Sequence, residues 1–312
     1  MISFGPISSR RLGLSLGINN IVSGKVCSYN CIYCQIGNTI NISTERQTFY
    51  DPEKLVKEVG HHLEKLDTAY MPDYLTFVVN GEPTLDINLG KEIRLLKKYG
   101  IPVAVITNTS LINHKSVQDD LMEADWVSVK IDTVDQVVWK KINRPSVKID
   151  LKNILDGVKV FSSEYRGSLN TETMLVNGYN DNYVQLEQTA FFIAGLHPEK
   201  SWLSIPTRPP ALKGVMPVSE MRITRAWHLF QNNNINTELL TGFEGTNTGF
   251  TGDAYNDILN ITAVHPLRED AMGELLENDK SDSSIVESLV AKGRIKRLDY
   301  NGRIYYVRRY KI

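Results

Sequence analysis

The sequence predicts an α/β fold in which β-α units repeat around a largely parallel sheet, followed by a small module of different pattern. Three observations predict it. Short β-branched runs alternate with helix-length amphipathic stretches, the strand starts recur every few tens of residues, and the alternation stops after about Asp253. Parallel strands need crossover connections of a dozen or more residues, and this spacing supplies them. Six such units are too many for a small flavodoxin-like sheet. They suit either a doubly wound sheet or an incomplete barrel.

In chain order the strand candidates are Tyr74–Val79, Pro102–Thr107, Trp126–Ile131, Asn170–Val176, Trp202–Ile205 and Thr237–Leu240. The first helix opens with Asp51 as N-cap and Pro52 at the first helical position, and its apolar stripe is Leu55, Val56, Val59 and Leu63. The next runs from about Ile87 to Gly100, where a left-handed C-cap is expected. Further helices are expected over roughly 115–122, 151–161, 183–194 and 219–231. Beyond Asp253 come two short helices, about 267–276 and 283–291, and then two alternating runs joined by Asn301-Gly302. An Asn-Gly pair in that setting is a strong hairpin signal. Helices followed by a hairpin resemble a small winged-helix module. The expected division is therefore 1–252 and 253–312.

The chain has 312 residues, with 35 Lys+Arg against 36 Asp+Glu and 42% hydrophobic residues. That composition excludes disorder, and no apolar run approaches a membrane span. A net charge of −1 argues against a protein that coats nucleic acid with its whole surface. The charge is uneven, however. Residues 281–312 carry eight Lys/Arg and three Asp/Glu, a net of +5. Ser9-Arg10-Arg11 hints at a twin-arginine signal, but the following apolar run is too short, so we expect a cytoplasmic protein.

All three cysteines fall within Cys27-Ser-Tyr-Asn-Cys31-Ile-Tyr33-Cys34. They do not form a disulfide framework; thiolates this close in a reducing compartment read as metal ligands. Zinc would need a fourth ligand, and His61 and His62 lack finger spacing. An iron–sulfur cluster fits better, because three thiolates can hold three irons of a [4Fe–4S] cube and leave the fourth open.

Cys-x3-Cys-x2-Cys with an aromatic residue before the last cysteine resembles the signature of the radical S-adenosylmethionine enzymes. A second resemblance is Asn80-Gly81-Glu82-Pro83-Thr84. It is similar to the family's Gly-Gly-Glu-Pro segment, with Asn80 in place of the first glycine. The resemblance implies a partial (β/α)6 barrel with the motif on the loop after the first strand, and one [4Fe–4S] cluster on Cys27, Cys31 and Cys34. It also implies S-adenosyl-L-methionine at the open iron, with Gly81 and Glu82 facing its amino group. Thr107-Asn108-Thr109-Ser110 resembles the family's Thr-Asn-Gly segment, which places Asn108 and Ser110 near the methionine carboxylate and ribose. Ser128, Lys130 and Asp132 share one face of a strand candidate and are the remaining cofactor candidates, with a solvated or capping role weighed equally. Glu172, Met174 and Arg208 are candidates by position alone.

Gly5–Gly13, Thr262–Arg268 and the basic hairpin are similar to a subgroup placed with the wyosine-base iron–sulfur oxidoreductases. The second cluster of true wyosine synthases needs further cysteines, and this chain has none. The resemblance implies reductive cleavage of S-adenosylmethionine to methionine and a 5′-deoxyadenosyl radical, with reduced ferredoxin or flavodoxin as electron donor. The first reading of the substrate is a small metabolite or a protein, with the C-terminal module as a lid. The second is RNA, with tRNA as the first candidate, gripped by the hairpin through residues such as Arg297 and Arg303, with Tyr300, Tyr305 and Tyr306 adding stacking. A third class, an iron–sulfur sensor whose winged helix binds DNA, is disfavoured by Asn80–Pro83 and by the six units.

Overall fold

The computed structural model describes residues 2–21, 24–242, 246 and 249–309. The chain opens with a hairpin, β1 (Ser3–Ser9) and β2 (Gly13–Ile18), followed by two short strands, β3 (Val26–Cys27) and β4 (Asn41–Ile42). The repeating part then reads α1 (Pro52–Leu63), β5 (Tyr74–Phe77), α2 (Leu89–Leu96), β6 (Val103–Thr107), α3 (Lys115–Leu121) and β7 (Trp126–Lys130). Two helices follow, α4 (Gln136–Asn143) and α5 (Leu151–Glu164), and the repeat resumes with β8 (Ser168–Met174), α6 (Tyr183–Ala194), β9 (Lys200–Ser204), α7 (Glu220–Asn232) and β10 (Thr237–Leu240). The strands form one eight-stranded sheet in the order β1-β2-β5-β6-β7-β8-β9-β10, which curls into a partial barrel. Every neighbour pair from β2 to β10 is parallel, and β1 alone is antiparallel.

Helices on the outer face bury strands that are apolar on both sides, so Val103, Val105, Val127 and Val129 are fully covered. The expected caps form. Asp51 accepts from the Lys54 amide at 2.9 Å, and Gly100 ends the second helical stretch at φ 69°.

Three elements differ from the sequence expectation. The first parallel strand is β2, so the six units begin there and β10 is a seventh parallel strand. Its glycines hide it in the sequence, but Gly17 is required: a Cβ there would lie 2.1 Å from the Phe4 ring of β1. Helix α4, which had no counterpart in the expectation, sits between β7 and β8. Its short stripe of Val138, Trp139 and Ile142 is capped by Asp135. Helix α8 (Ala254–Val264) precedes the two expected C-terminal helices and had no counterpart in the expectation.

After α8 come β11 (Leu267–Arg268), α9 (Glu269–Asn278), α10 (Ser284–Ala291), β12 (Ile295–Tyr300) and β13 (Arg303–Arg308). These strands make a separate antiparallel sheet in the order β11-β13-β12. Ile258, Leu267, Leu275, Leu289 and Ile295 form a core of their own beneath it. Phe4 packs against Ala263 and Val264, which fastens α8 to the barrel's N-terminal hairpin. Among the described residues, no helix is long and apolar enough to cross a membrane.

Candidate active site

The carboxyl ends of β5–β10 face one cavity of about 270 Å³, where parallel α/β sheets place their ligands. Cys27, Cys31 and Cys34 line it, on a loop held from two sides. On one side the Val26 amide donates to the Asn80 carbonyl at 3.0 Å, and the Glu82 amide donates to the Val26 carbonyl at 3.1 Å. Gly81 sits between them at φ 144°, where a Cβ would come within 1.5 Å of the Val26 oxygen. Glycine is required there because the two backbones touch. Asn80 acts through its backbone, so replacement of the expected glycine is tolerated. Pro83 starts a short 3₁₀ turn, Pro83–Leu85.

Each sulfur receives an N–H from a different side chain. Asn108 Nδ2 donates to Cys27 Sγ at 3.3 Å, Asn143 Nδ2 to Cys31 Sγ at 3.5 Å, and Lys25 Nζ to Cys34 Sγ at 3.1 Å. Burial pushes the Cys27 thiol up to about 11 and the Cys31 thiol up to about 12. Both are therefore protonated without metal and must lose a proton to bind one. Among the described residues, no three His, Cys, Asp or Glu side chains are grouped to hold a single metal ion. Three thiols around one end of a cavity, each with its own donor, fit a polynuclear cluster in which each thiolate takes a different iron.

The Glu82 carboxylate is buried beside them. It accepts from Thr84 Oγ1 at 2.7 Å, Thr107 Oγ1 at 2.6 Å and the Asn108 amide at 2.7 Å. Burial raises its pKa, and these donors work against that rise. The strand ends of β5 and β6 thus aim one carboxylate at the cavity.

The other expected residues divide into two groups. Tyr33, Gly81, Glu82, Asn108 and Lys130 line the cavity; Asn80, Pro83, Ser110, Ser128 and Asp132 do not. Asp132 is buried and accepts from the Tyr33 hydroxyl, from Asn143 Nδ2 at 2.7 Å and from the Met174 amide at 2.9 Å. It holds Tyr33 in place, and the Tyr33 ring in turn lies 5.3 Å beneath the Lys130 ammonium. The Ser110 hydroxyl bonds Ser28 Oγ at 2.5 Å, one residue from Cys27. Ser128 is buried two residues before Lys130.

Arg11, Lys25, Gln35 and Ser204 also line the cavity; Lys25 and Gln35 are there because they flank the cysteines in sequence, whereas Arg11 and Ser204 are brought in by the curl of the sheet. Glu172, a candidate by position, accepts from Lys130 Nζ at 2.8 Å, from Ser204 Oγ at 3.0 Å and from Arg11. Burial works against its ionised form, but the Lys130 and Arg11 charges prevail and hold the carboxyl well below the usual range. A depressed carboxylate stabilises the fold above its unfolded pKa and loses that contribution as the pH falls. The ordinary value is 4.5. Urea midpoints of the native chain should therefore fall more steeply below about pH 4.5 than those of Glu172→Gln. Parallel curves would refute this.

The loop after β9, which lines the cavity through residues 205–208, is held from outside by the C-terminal hairpin. The Tyr300 hydroxyl donates to the Pro206 carbonyl at 2.9 Å, and the Tyr305 hydroxyl to the Thr207 carbonyl at 3.0 Å. Both tyrosines thereby fasten the hairpin to the loop after β9. Arg297 pairs with Glu269 at 3.2 Å on the surface, and Arg303 lines a second cavity between this hairpin and the barrel. Arg208 donates to Gln35 Oε1 at 3.0 Å and to His265 Nε2 at 3.1 Å, bridging the cysteine loop and the end of α8.

Residues 21–193 match the family model of the Radical SAM superfamily. The chain belongs to that superfamily. It is 43% identical over 314 aligned residues to UPF0026 protein MJ1312 of Methanocaldococcus jannaschii, covering 99% of this chain and 97% of the relative. A UPF0026 protein of Synechocystis is 34% identical over 67% of this chain and 77% of its own length. Among solved structures, a radical SAM methyltransferase from Sphaerobacter thermophilus superposes with a TM-score of 0.55 at 16% identity. That match covers 73% of this chain and 66% of the other, and at this identity it speaks for the fold alone. The protein is a radical SAM enzyme, and its family implies S-adenosylmethionine, a [4Fe–4S] cluster and an electron donor.

Proposed function

We propose that this radical SAM enzyme binds one [4Fe–4S] cluster on Cys27, Cys31 and Cys34 and starts radical chemistry on a small metabolite or a protein-borne group. When bound, the cluster and S-adenosylmethionine supply a one-electron cleavage that yields methionine and a 5′-deoxyadenosyl radical. The chain's own residues position, orient and exclude. Gly81 and Glu82 present a backbone edge and a carboxylate to the cofactor's amino group. Asn108, beside Cys27, faces the same volume. The Lys130–Glu172–Arg11 network with Ser204 lines the far wall, where a polar substrate is held.

The observation that carries the substrate reading is the pinning of the hairpin onto the cavity rim by Tyr300 and Tyr305. We read residues 253–312 as a winged-helix-like lid over the open side of a partial barrel. A cavity of about 270 Å³ takes small ligands. We place the enzyme in the cytoplasm, with reduced ferredoxin or flavodoxin as donor.

The test is anaerobic reconstitution followed by dithionite, with 5′-deoxyadenosine measured alone and with metabolite, protein and RNA fractions. Metabolite or protein fractions should raise turnover; stimulation by RNA alone would favour the RNA reading instead. Glu82→Gln keeps the shape and removes the charge. A charge-assisted hydrogen bond is worth about 1.5–3 kcal/mol, so S-adenosylmethionine should bind roughly ten- to a hundredfold more weakly. Unchanged affinity would remove Glu82 from the cofactor site.

A further inference from the structure

The cysteine loop has an outer side as well as a cavity side. The stretch from Cys27 to Cys31 runs between two surface segments. On one flank Cys27 pairs with Ile42 across β3 and β4, and the Ser43 amide donates to the Cys27 carbonyl at 3.1 Å. The same flank binds through Thr39, whose hydroxyl donates to the Tyr29 carbonyl at 2.7 Å. On the other flank the Asn30 amide donates to the Asn143 carbonyl at 3.0 Å and the Ser146 amide to the Ser28 carbonyl at 2.9 Å. Lys148 ties the flanks together by reaching Glu45 at 3.1 Å. Both surface segments thus bond directly to the backbone of the loop that carries Cys27 and Cys31.

That layer has an unusual surface. Val147 is 100% exposed, Ile40 81% and Ile42 44%. Single exposed apolar residues are ordinary, but these stand beside a concentrated charge. Residues 136–149 contain Lys140, Lys141, Arg144 and Lys148 and no carboxylate, and all four cations are exposed. Lys140, Lys141 and Arg144 make no ion pair among the described residues. An apolar centre beside a mainly cationic stretch, bounded by Asp135 and Asp150 and with Glu45 paired to Lys148, is how small, transient redox interfaces combine fast encounter with brief residence.

We propose that this face, formed by residues 39–43 and 137–148, docks an acidic one-electron carrier protein. The inference rests on the function proposed above, since it presumes a cluster on these cysteines. The carrier gives up one electron and the cluster gains it. The electron then enters the carbon–sulfur bond of S-adenosylmethionine, which breaks to methionine and the 5′-deoxyadenosyl radical. The three cysteines line the cavity on the loop's other side, so a cluster held by them would take electrons from the outer face while the cavity is left to cofactor and substrate.

The experiment compares the native enzyme with Lys140→Glu/Lys141→Glu, two exposed positions outside the cavity. The probe is flavodoxin, acidic and in its hydroquinone form for turnover. Flavodoxin affinity is measured by calorimetry at two salt concentrations, and deoxyadenosine formation is measured with flavodoxin and, separately, with dithionite. Electrostatic steering supports a loss of about tenfold or more at low salt. We expect that loss in both flavodoxin binding and flavodoxin-driven turnover, a flattened salt dependence, and unchanged dithionite-driven turnover. Flavodoxin binding and turnover that ignore the reversal would overturn the proposal, as would an equal fall with dithionite. If neither reductant yields deoxyadenosine, the proposed function fails, while the calorimetry still decides the docking face.

Discussion

Replacing Cys31 with alanine is expected to abolish iron binding and S-adenosylmethionine cleavage while leaving the barrel folded. The reconstituted native chain should hold close to four irons, since a [4Fe–4S] cube is the assembly three thiolates and an open iron imply. With one thiolate gone, the other two lack the geometry to hold the cube. The fold should survive because Cys31 is a half-buried loop residue at the edge of the main core. Its thiol accepts a single long hydrogen bond from Asn143. Iron analysis, visible absorbance and a urea midpoint read these effects separately. Cys27→Ala and Cys34→Ala should lose iron equally. Retention of near-native iron by any of the three would remove that cysteine from the ligand set, and tight stoichiometric zinc in the native chain would replace the cluster with a structural metal.

Gly81→Ala should be as damaging by a different route. The side chain added there meets the Val26 carbonyl oxygen, not a movable side chain, and the backbone angle of 144° is foreign to alanine. Overpacking costs about 1–3 kcal/mol and backbone strain about 1–3 kcal/mol more. Because Val26 precedes Cys27 and Glu82 follows Gly81, relief of the clash pulls the first cysteine away from the carboxylate. The expected outcome is a lower urea midpoint together with poor iron loading and weakened cofactor binding. A variant with native stability and native iron content would show that the two segments need not touch.

Much of the site was legible because it is local in the chain. Three cysteines within eight positions, and Gly-Glu-Pro at a strand end, are spacings that survive without any knowledge of the fold. Strands β5–β10 were also legible: β6 reads as the unbroken apolar run of a strand buried on both faces, and the others, polar residues included, recur at the spacing of β-α units. Strand β2 was not, because it is built from glycine, serine and leucine and is a strand only where Phe4 covers Gly17 and β5 pairs with it. Helix α4 escaped for a related reason: eight residues with three buried apolar side chains form too short a stripe to stand out.

The sequence by itself determined the clustering of three thiols, the alternation that makes a parallel sheet, and the basic character of the C-terminal hairpin. The tertiary structure alone decided which polar residues meet. Lys130, Glu172, Ser204 and Arg11 come from four strands or their ends and converge through the curl of the sheet. Asp132, on the same strand face, meets Lys130 at 3.7 Å and accepts hydrogen bonds from Tyr33 and Asn143. The hairpin's Tyr300 and Tyr305 fasten it through their hydroxyls to the loop after β9. Local spacing is written in the chain because neighbours in sequence stay neighbours in space. Contacts between strand ends depend on the twist and closure of the whole sheet, which no single segment encodes.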